Sequence, residues 1–550
     1  MTSRGIDASL ENAAVEPKRP QLILVGLTLA ALLPFLHKAF HIDDPLFLWM
    51  ADQIRKNPFD PYGFFINWTM SPKPFWQEMP NPPLCSYWIA LLESVLGGSE
   101  VSLHLAFLVW PVLAIVATFV IARRFCREPF RAAVMTLLCP VFLVSATNLM
   151  CDVMLMALYL WSIELWIRGL DKRSWLLLLA AASVASAAAF TKYFGITVVP
   201  LLVTYTVARR RHITVELLVL ALPLVLLCLF ESWTKAKYGT GLLSDAFGVS
   251  RSDVSIKPNA LAQLLIGFAF VGGCLISAIG YFPWKNWKLC LTGAGFVVLF
   301  IALFGCFVPF RDSYTAEANG GLIKIEGGIF AAIGFAMVAA AIFAVIRDRE
   351  LTALVCSFWL LGIFVFATFL NWSFTAKTLL PAAPAAMILL GRWRERVGLA
   401  EGTLSRWIAP ILLGLLSLWI TWADYRQANT ARAAAREFRN EFRNEVGTVW
   451  FASHWGFQYY MQQWGAVPLN ANGSQIRSGD PYIFPANNTS LISVPYEKLI
   501  LIRKAEFPTL PVVSTSGRRT GAGFYSSLRG TIPWAMDQVL PETYYVMRFK

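Results

Sequence analysis

Residues Gly327–Ile346 read GGIFAAIGFAMVAAAIFAVI, twenty residues without a charge, and Arg347, Asp348 and Arg349 follow at once. At about 1.5 Å of rise per residue, a helix of that length crosses the roughly 30 Å hydrocarbon core of a bilayer. A soluble helix would keep a polar stripe toward water. This one has none, so it reads as a membrane span.

Comparable runs lie near 20–38, 101–121, 132–147, 153–168, 214–231, 259–282, 289–309, 351–371, 378–391 and 406–423. The longer run 174–208 is interrupted at Thr191-Lys192-Tyr193 and reads as a short hairpin of two spans. The sum is about thirteen spans. Composition agrees: of 550 residues 57% are hydrophobic and 15% charged, with a mean hydropathy of +0.55. An average soluble domain carries roughly a quarter charged residues.

The net charge of +13 does not point to nucleic acid, because the cations are not laid out as a stripe. They fall in short groups between apolar runs: Lys18-Arg19, Arg123-Arg124 with Arg127 and Arg131, Lys172-Arg173, Arg209-Arg210-Arg211, Lys285 with Lys288, Arg347 with Arg349, and Arg392, Arg394 and Arg396. Short basic loops mark the cytoplasmic side. On that rule residues 1–19 form a cytoplasmic tail, and 20–423 form the membrane domain with a first outer loop at 40–99. Residues 424–550, richer in Gly, Asn, Ser and Pro with short β-like runs, form a small extracytoplasmic α/β or mostly β domain. The nine cysteines show no paired metal spacing and mostly sit in apolar runs, as small buried residues do.

Chemistry concentrates in the first outer loop, which opens with His41-Ile42-Asp43-Asp44-Pro45. Two adjacent carboxylates directly after a span suit a general base, since like charges side by side raise one pKa. They suit equally an N-cap followed by Pro45 in the first helical turn. Asp152, at the outer start of the fourth span, is either a functional carboxylate or a second cap. Lys192 and Lys377 are lone cations at expected outer helix ends, placed to snorkel or to bind a phosphate. His41 and His104 have no companions at metal spacing. Trp49, Trp68, Trp76 and Trp88 crowd the first loop as an interfacial belt or as sugar-stacking rings.

The run Asp43-Asp44-Pro45-Leu46-Phe47-Leu48-Trp49-Met50-Ala51 resembles the Asp-Glu motif and aromatic-rich helix in the first outer loop of the glycosyltransferase C superfamily. The nearest branch is the protein mannosyltransferase and aminoarabinose transferase group (family 39-like). Asn81-Pro82-Pro83-Leu84 with Tyr87-Trp88 is similar to that group's His/Lys-Pro-Pro-Leu element, and Leu96-Gly97-Gly98-Ser99-Glu100 to the segment that follows. The Asp152 segment, Thr191–Gly195 and Ala376–Pro384 match later elements in order. The resemblance covers roughly residues 20–395. Asp44 stands in place of Glu, Asn81 of His or Lys, and Thr147, His104 and Lys377 of Arg.

The resemblance implies a membrane glycosyltransferase that transfers a sugar, with inversion, from a polyprenyl-phosphate donor to an acceptor hydroxyl. The acceptor would be a glycolipid, a polysaccharide or a protein, and the reaction would run at the outer face of the plasma (inner) membrane. It casts Asp43 as general base, with Lys192 and Lys377 against the leaving phosphate. Asp44 and Asp152 would orient the acceptor, the sugar or a divalent ion, and Asn81 would contact substrate. The resemblance makes no cofactor certain; Mg or Mn at Asp44 and Asp152 is optional, because a lipid monophosphate carries few charges. The competing class is a transporter or lipid flippase, which should show related halves and polar residues at mid-membrane. Here the polar residues gather at one face.

Overall fold

The computed structural model describes residues 18–252, 258–284, 286–309, 320–348, 350–397, 405–488 and 494–550. Most of the expected cytoplasmic tail, together with Lys285 and Arg349, lies outside the described residues. A helix occupies each of the thirteen expected spans. Among the described residues seven helices are long and apolar enough to cross a membrane, and the pair Pro129–Leu137 and Pro140–Ala146, bent by 60°, makes an eighth when counted as one broken span. The shorter apolar helices include Pro20–Leu32 (α1), Trp175–Thr191 and Ala260–Cys274. The bend falls at Cys139-Pro140, where a proline cannot continue the helical ladder.

Helix Asp152–Lys172 (α2) is 78% buried over its apolar window and forms the centre of the bundle. Its 21 residues span about 30 Å, so Asp152 and Lys172 mark opposite ends. The basic groups collect at the Lys172 end. Arg124 reaches Glu164 (2.9 Å) and Asp171 (2.8 Å), and Arg209 reaches Asp171 (2.6 Å). Arg392 donates to the Phe125 carbonyl (2.6 Å), Glu395 accepts from the Arg127 amide (2.7 Å), and Arg396 pairs with Asp348 and Glu350. One end of the bundle is thus bound together by these charges, as the short basic loops require.

The last apolar helix, Ser405–Glu441 (α3), runs on past its apolar part into a charged, alanine-rich half. Beyond it lies a mixed five-stranded sheet: Val467–Pro468, Trp450–Phe451, Pro481–Pro485, Glu542–Phe549 and Leu499–Phe507, in that spatial order. Its first three strands are parallel and its last two pairings antiparallel. Helix Trp455–Gln463 (α4) is the crossover between the first two parallel strands. The segment between the long strands folds back onto the bundle end that carries Asp152. There Trp534 donates to the Gly273 carbonyl (2.8 Å), Ala376 to the Phe524 carbonyl (2.9 Å), and Ser527 to the Phe374 carbonyl (2.7 Å).

Helices Ala260–Cys274 and Gly320–Asp348 meet backbone to backbone. A Cβ on Gly272 would fall on the Phe330 carbonyl oxygen, and one on Gly334 on the Phe268 carbonyl oxygen. Small residues allow such approach where lipid supplies no hydrophobic drive between helices. Gly334→Val is expected to cost about 1–3 kcal/mol, read as a lower Tm in detergent. Gly26→Val, at a site with nothing within 4 Å, should leave the Tm unchanged.

Candidate active site

The loop after the first span enters its helix, Asp44–Lys56 (α5), through Ile42, whose φ of 48° turns the chain sharply. That turn separates the two neighbouring carboxylates. Asp44 points into the core with no exposed surface, and its oxygens accept the backbone N–H groups of His41 and Leu149, each at 2.9 Å. It therefore ties the loop after the first span to the turn before α2. Burial pushes the Asp44 carboxyl up to about 7, while the two amides and the Lys38 and Lys377 ammoniums pull the other way. Asp43 occupies the N-cap position, yet its side chain caps nothing. It is 41% exposed and faces Lys377, Oδ2 to Nζ 3.7 Å.

Lys377 is the second residue of the short 3-10 stretch Ala376–Ala382, which the Ala376–Phe524 hydrogen bond holds in place. Its ammonium is nearly buried and lies 3.8 Å from Asp152 Oδ2, within 3.0 Å of the Met150 sulfur, and 5.6 Å from the centre of the Tyr525 ring. Lys192, at the end of helix Trp175–Thr191, donates to Asp152 Oδ1 at 2.8 Å. Four expected site residues, Asp43, Asp152, Lys192 and Lys377, therefore form one cluster built from four separate segments. Asn81 stands apart from it; its carbonyl accepts the Tyr62 hydroxyl at 2.6 Å.

Beside the cluster lies a second network that the sequence did not reveal. Lys38, wholly buried, donates to Asp424 (2.5 Å), Asn148 (2.6 Å) and Thr147 (3.0 Å). Asp424 also accepts the hydroxyls of Thr515 (2.7 Å) and Tyr525 (2.9 Å). His41 packs edge-on against Tyr525 with its Nε2 3.9 Å from Asp424; burial pulls its pKa down to about 4. Lys38 and Asp424 flank the first and last spans, so each read as an ordinary boundary charge. The signal available was that each stands alone at its span end. Their pairing across 386 positions was not available.

Among the described residues no group of three or more His, Cys, Asp or Glu side chains is gathered as a metal requires. Asp44 spends its oxygens on two amides, while Asp152 gives one oxygen to the Lys192 ammonium at 2.8 Å and turns the other toward Lys377 at 3.8 Å, so both carboxylates already face donors or cations. As they stand, these residues do not make a ligand set for Mg or Mn.

Residues 80–233 match the family model described as dolichyl-phosphate-mannose-protein mannosyltransferase. That stretch contains Asn81, Asp152 and Lys192. No curated protein sequence matches the chain. Among solved structures, ArnT from Cupriavidus metallidurans bound to undecaprenyl phosphate is 13% identical, with 91% of this chain and 97% of that one covered and a TM-score of 0.42. The archaeal oligosaccharyltransferase AglB from Archaeoglobus fulgidus, in complex with an inhibitory peptide and a dolichol-phosphate, is 12% identical over 82% of this chain, at a TM-score of 0.44. This chain spans 64% of the length of AglB. The mycobacterial arabinofuranosyltransferase AftD is 13% identical over 97% of this chain and 40% of its own, at 0.42. The chain is thus a multi-pass helical membrane protein similar, over residues 80–233, to the mannosyltransferase family.

The raised Asp44 pKa sets a sign that can be measured. A carboxyl whose folded value lies above its unfolded one stabilises the fold most below about 4, and that contribution fades as pH rises through about 7. Asp44→Asn keeps an acceptor for one amide and does not titrate. The stability of the wild type relative to Asp44→Asn should therefore fall by on the order of 1–3 kcal/mol between pH 5 and pH 8, followed by thermal unfolding.

Proposed function

We propose that this chain is a membrane glycosyltransferase that takes a sugar from a polyprenyl-phosphate donor and passes it, with inversion, to an acceptor hydroxyl. The observation that carries the reading is the convergence of an accessible carboxylate, Asp43, and two lysines, Lys192 and Lys377, around the buried Asp152. A leaving phosphate needs fixed positive charge at the site, and an attacking hydroxyl needs a base that solvent and acceptor can reach. The family match at residues 80–233 and the polyprenyl phosphates bound by ArnT and AglB agree with such a donor.

In the proposed step the Asp43 carboxylate takes the acceptor proton as the acceptor oxygen bonds to the anomeric carbon. The bond from that carbon to the phosphate oxygen breaks on the opposite side, and its electron pair leaves with the polyprenyl phosphate. Lys192 is held by Asp152 at 2.8 Å, whereas Lys377 is at 3.7 and 3.8 Å from its two carboxylates, too long for hydrogen bonds. Lys377 is therefore the ammonium free to turn toward the phosphate. Once it turns, Asp43 faces the acceptor without its counter-charge. Asp44 positions Asp43 by fixing the turn that carries it, and no step is routed through a metal. The site and the C-terminal region, residues 424–550, lie on the outer face of the plasma (inner) membrane, opposite the basic end. The donor's apolar tail cannot leave the bilayer, so its phosphate must be met at the interface.

Asp43→Asn should lower transfer from labelled polyprenyl-phosphate sugars by about 10²–10⁴-fold while insertion and Tm stay as in the wild type. Transfer at the wild-type rate would remove Asp43 from the base role. Lys377→Ala should slow donor use by on the order of 10²-fold and leave the apparent KM for acceptor near its wild-type value. Unchanged donor kinetics would end the phosphate assignment.

A further inference from the structure

A cavity of about 570 Å³ opens beside the site, between the start of helix Glu100–Phe107, the charged half of α3, and α4. That volume falls within the roughly 300–1,000 Å³ of small-molecule sites. Three guanidiniums, Arg432, Arg436 and Arg439, line it from one side of α3, at the three- and four-residue spacings that share a helix face. Arg432 is already neutralised by Glu100, which also accepts the Tyr460 hydroxyl. Among the described residues Arg436 and Arg439 have no carboxylate partner; the acidic residues beside them, Glu437 and Glu441, are turned to Arg503. The opposite wall carries Tyr459 and Trp464, and the buried indole N–H of Trp464 has no hydrogen-bond partner.

Two uncompensated guanidiniums facing aromatic rings form a recognition surface for an oxyanion on a polar ring. Phe40 joins this cavity to the carboxylate cluster. It lines the cavity, its N–H donates to Tyr460 (2.8 Å), and Asp43 follows it three residues later. At 3.8 Å per residue, the cavity wall lies within about 11 Å of Asp43.

We infer that the cavity bounded by Arg436, Arg439 and Trp464 binds an acidic sugar unit, phosphate- or carboxylate-bearing, of the acceptor. Calling the ligand part of the acceptor rests on the transfer reading above; the binding itself does not. A bare phosphate or a phospholipid head group shares the oxyanion but leaves the aromatic wall of Tyr459 and Trp464 unused.

The test is binding of radiolabelled glucose 6-phosphate and glucuronate to the full-length protein in phosphatidylcholine nanodiscs. At least one probe should bind more tightly than inorganic phosphate and more tightly than glucose. Arg436→Gln/Arg439→Gln, at two exposed positions, should weaken that binding at least about tenfold with an unchanged Tm, and Asp43→Asn should leave it intact. The inference is overturned if neither probe binds, if phosphate competes as well as the sugars, or if the double variant binds as the wild type does. Blocking of the probes by phosphatidylglycerol nanodiscs would also overturn it, in favour of a head-group site. Failure of both probes to bind the wild type while Asp43-dependent transfer persists would count against this cavity alone, and probe binding without Asp43-dependent transfer would count against the reaction alone.

Discussion

An ammonium group is costly to hold in a protein interior unless carboxylates stand close by. Lys377 is nearly buried at the end of a membrane bundle, and Asp43 and Asp152 are the two carboxylates beside it. Much of the surrounding architecture follows from that need. The loop after the first span must turn at Ile42 to present Asp43, and α2 must begin where it does to present Asp152. The 3-10 stretch with Lys377 must be held from above by the backbone of Phe524. Lys192 adds a second cation to Asp152, so the group as a whole stays balanced between two acids and two bases.

The Lys38–Asp424 network extends the same logic into the C-terminal region. One wholly buried pair gathers the end of the first span, the turn at Thr147 and Asn148, the last span, and Thr515 and Tyr525. Removing either ion would strand the other in a medium that solvates it poorly. The C-terminal region is therefore part of the wall of the site. Its Tyr525 touches both networks, donating to Asp424 and presenting its ring to Lys377. Trp68, from the first loop, stacks on His454 and binds the two regions from the side.

Individual residues show how far a linear reading reaches. Asp152, Lys192 and Lys377 could be singled out because each is a lone charge beside an apolar run, and Asp43 because it stands next to Asp44 directly after a span. Whether Asp43 or Asp44 faced the solvent was not legible, since both reading frames satisfy an N-cap and Pro45 follows either way. The left-handed turn at Ile42 decides it, and a β-branched residue gives no hint of such a φ. Lys38 and Asp424 went unrecognised because each looks like a normal span boundary until its partner is known. The run 132–147 was legible as apolar, while the 60° bend at Cys139-Pro140 was not, because a proline marks where a helix breaks without fixing the angle.

What the sequence by itself determined was the solvent each segment must face. Runs of about twenty apolar residues with charges only at their ends have one stable home, and short basic loops order those runs across the bilayer. What only the tertiary structure decided was which charges meet. Hydropathy is a sum over neighbours in the chain and survives any arrangement of the helices. Electrostatic pairing, by contrast, depends on separations of a few ångströms between residues hundreds of positions apart. Helix packing, the glycine contacts and the returning C-terminal segment set those separations, and no local pattern encodes them.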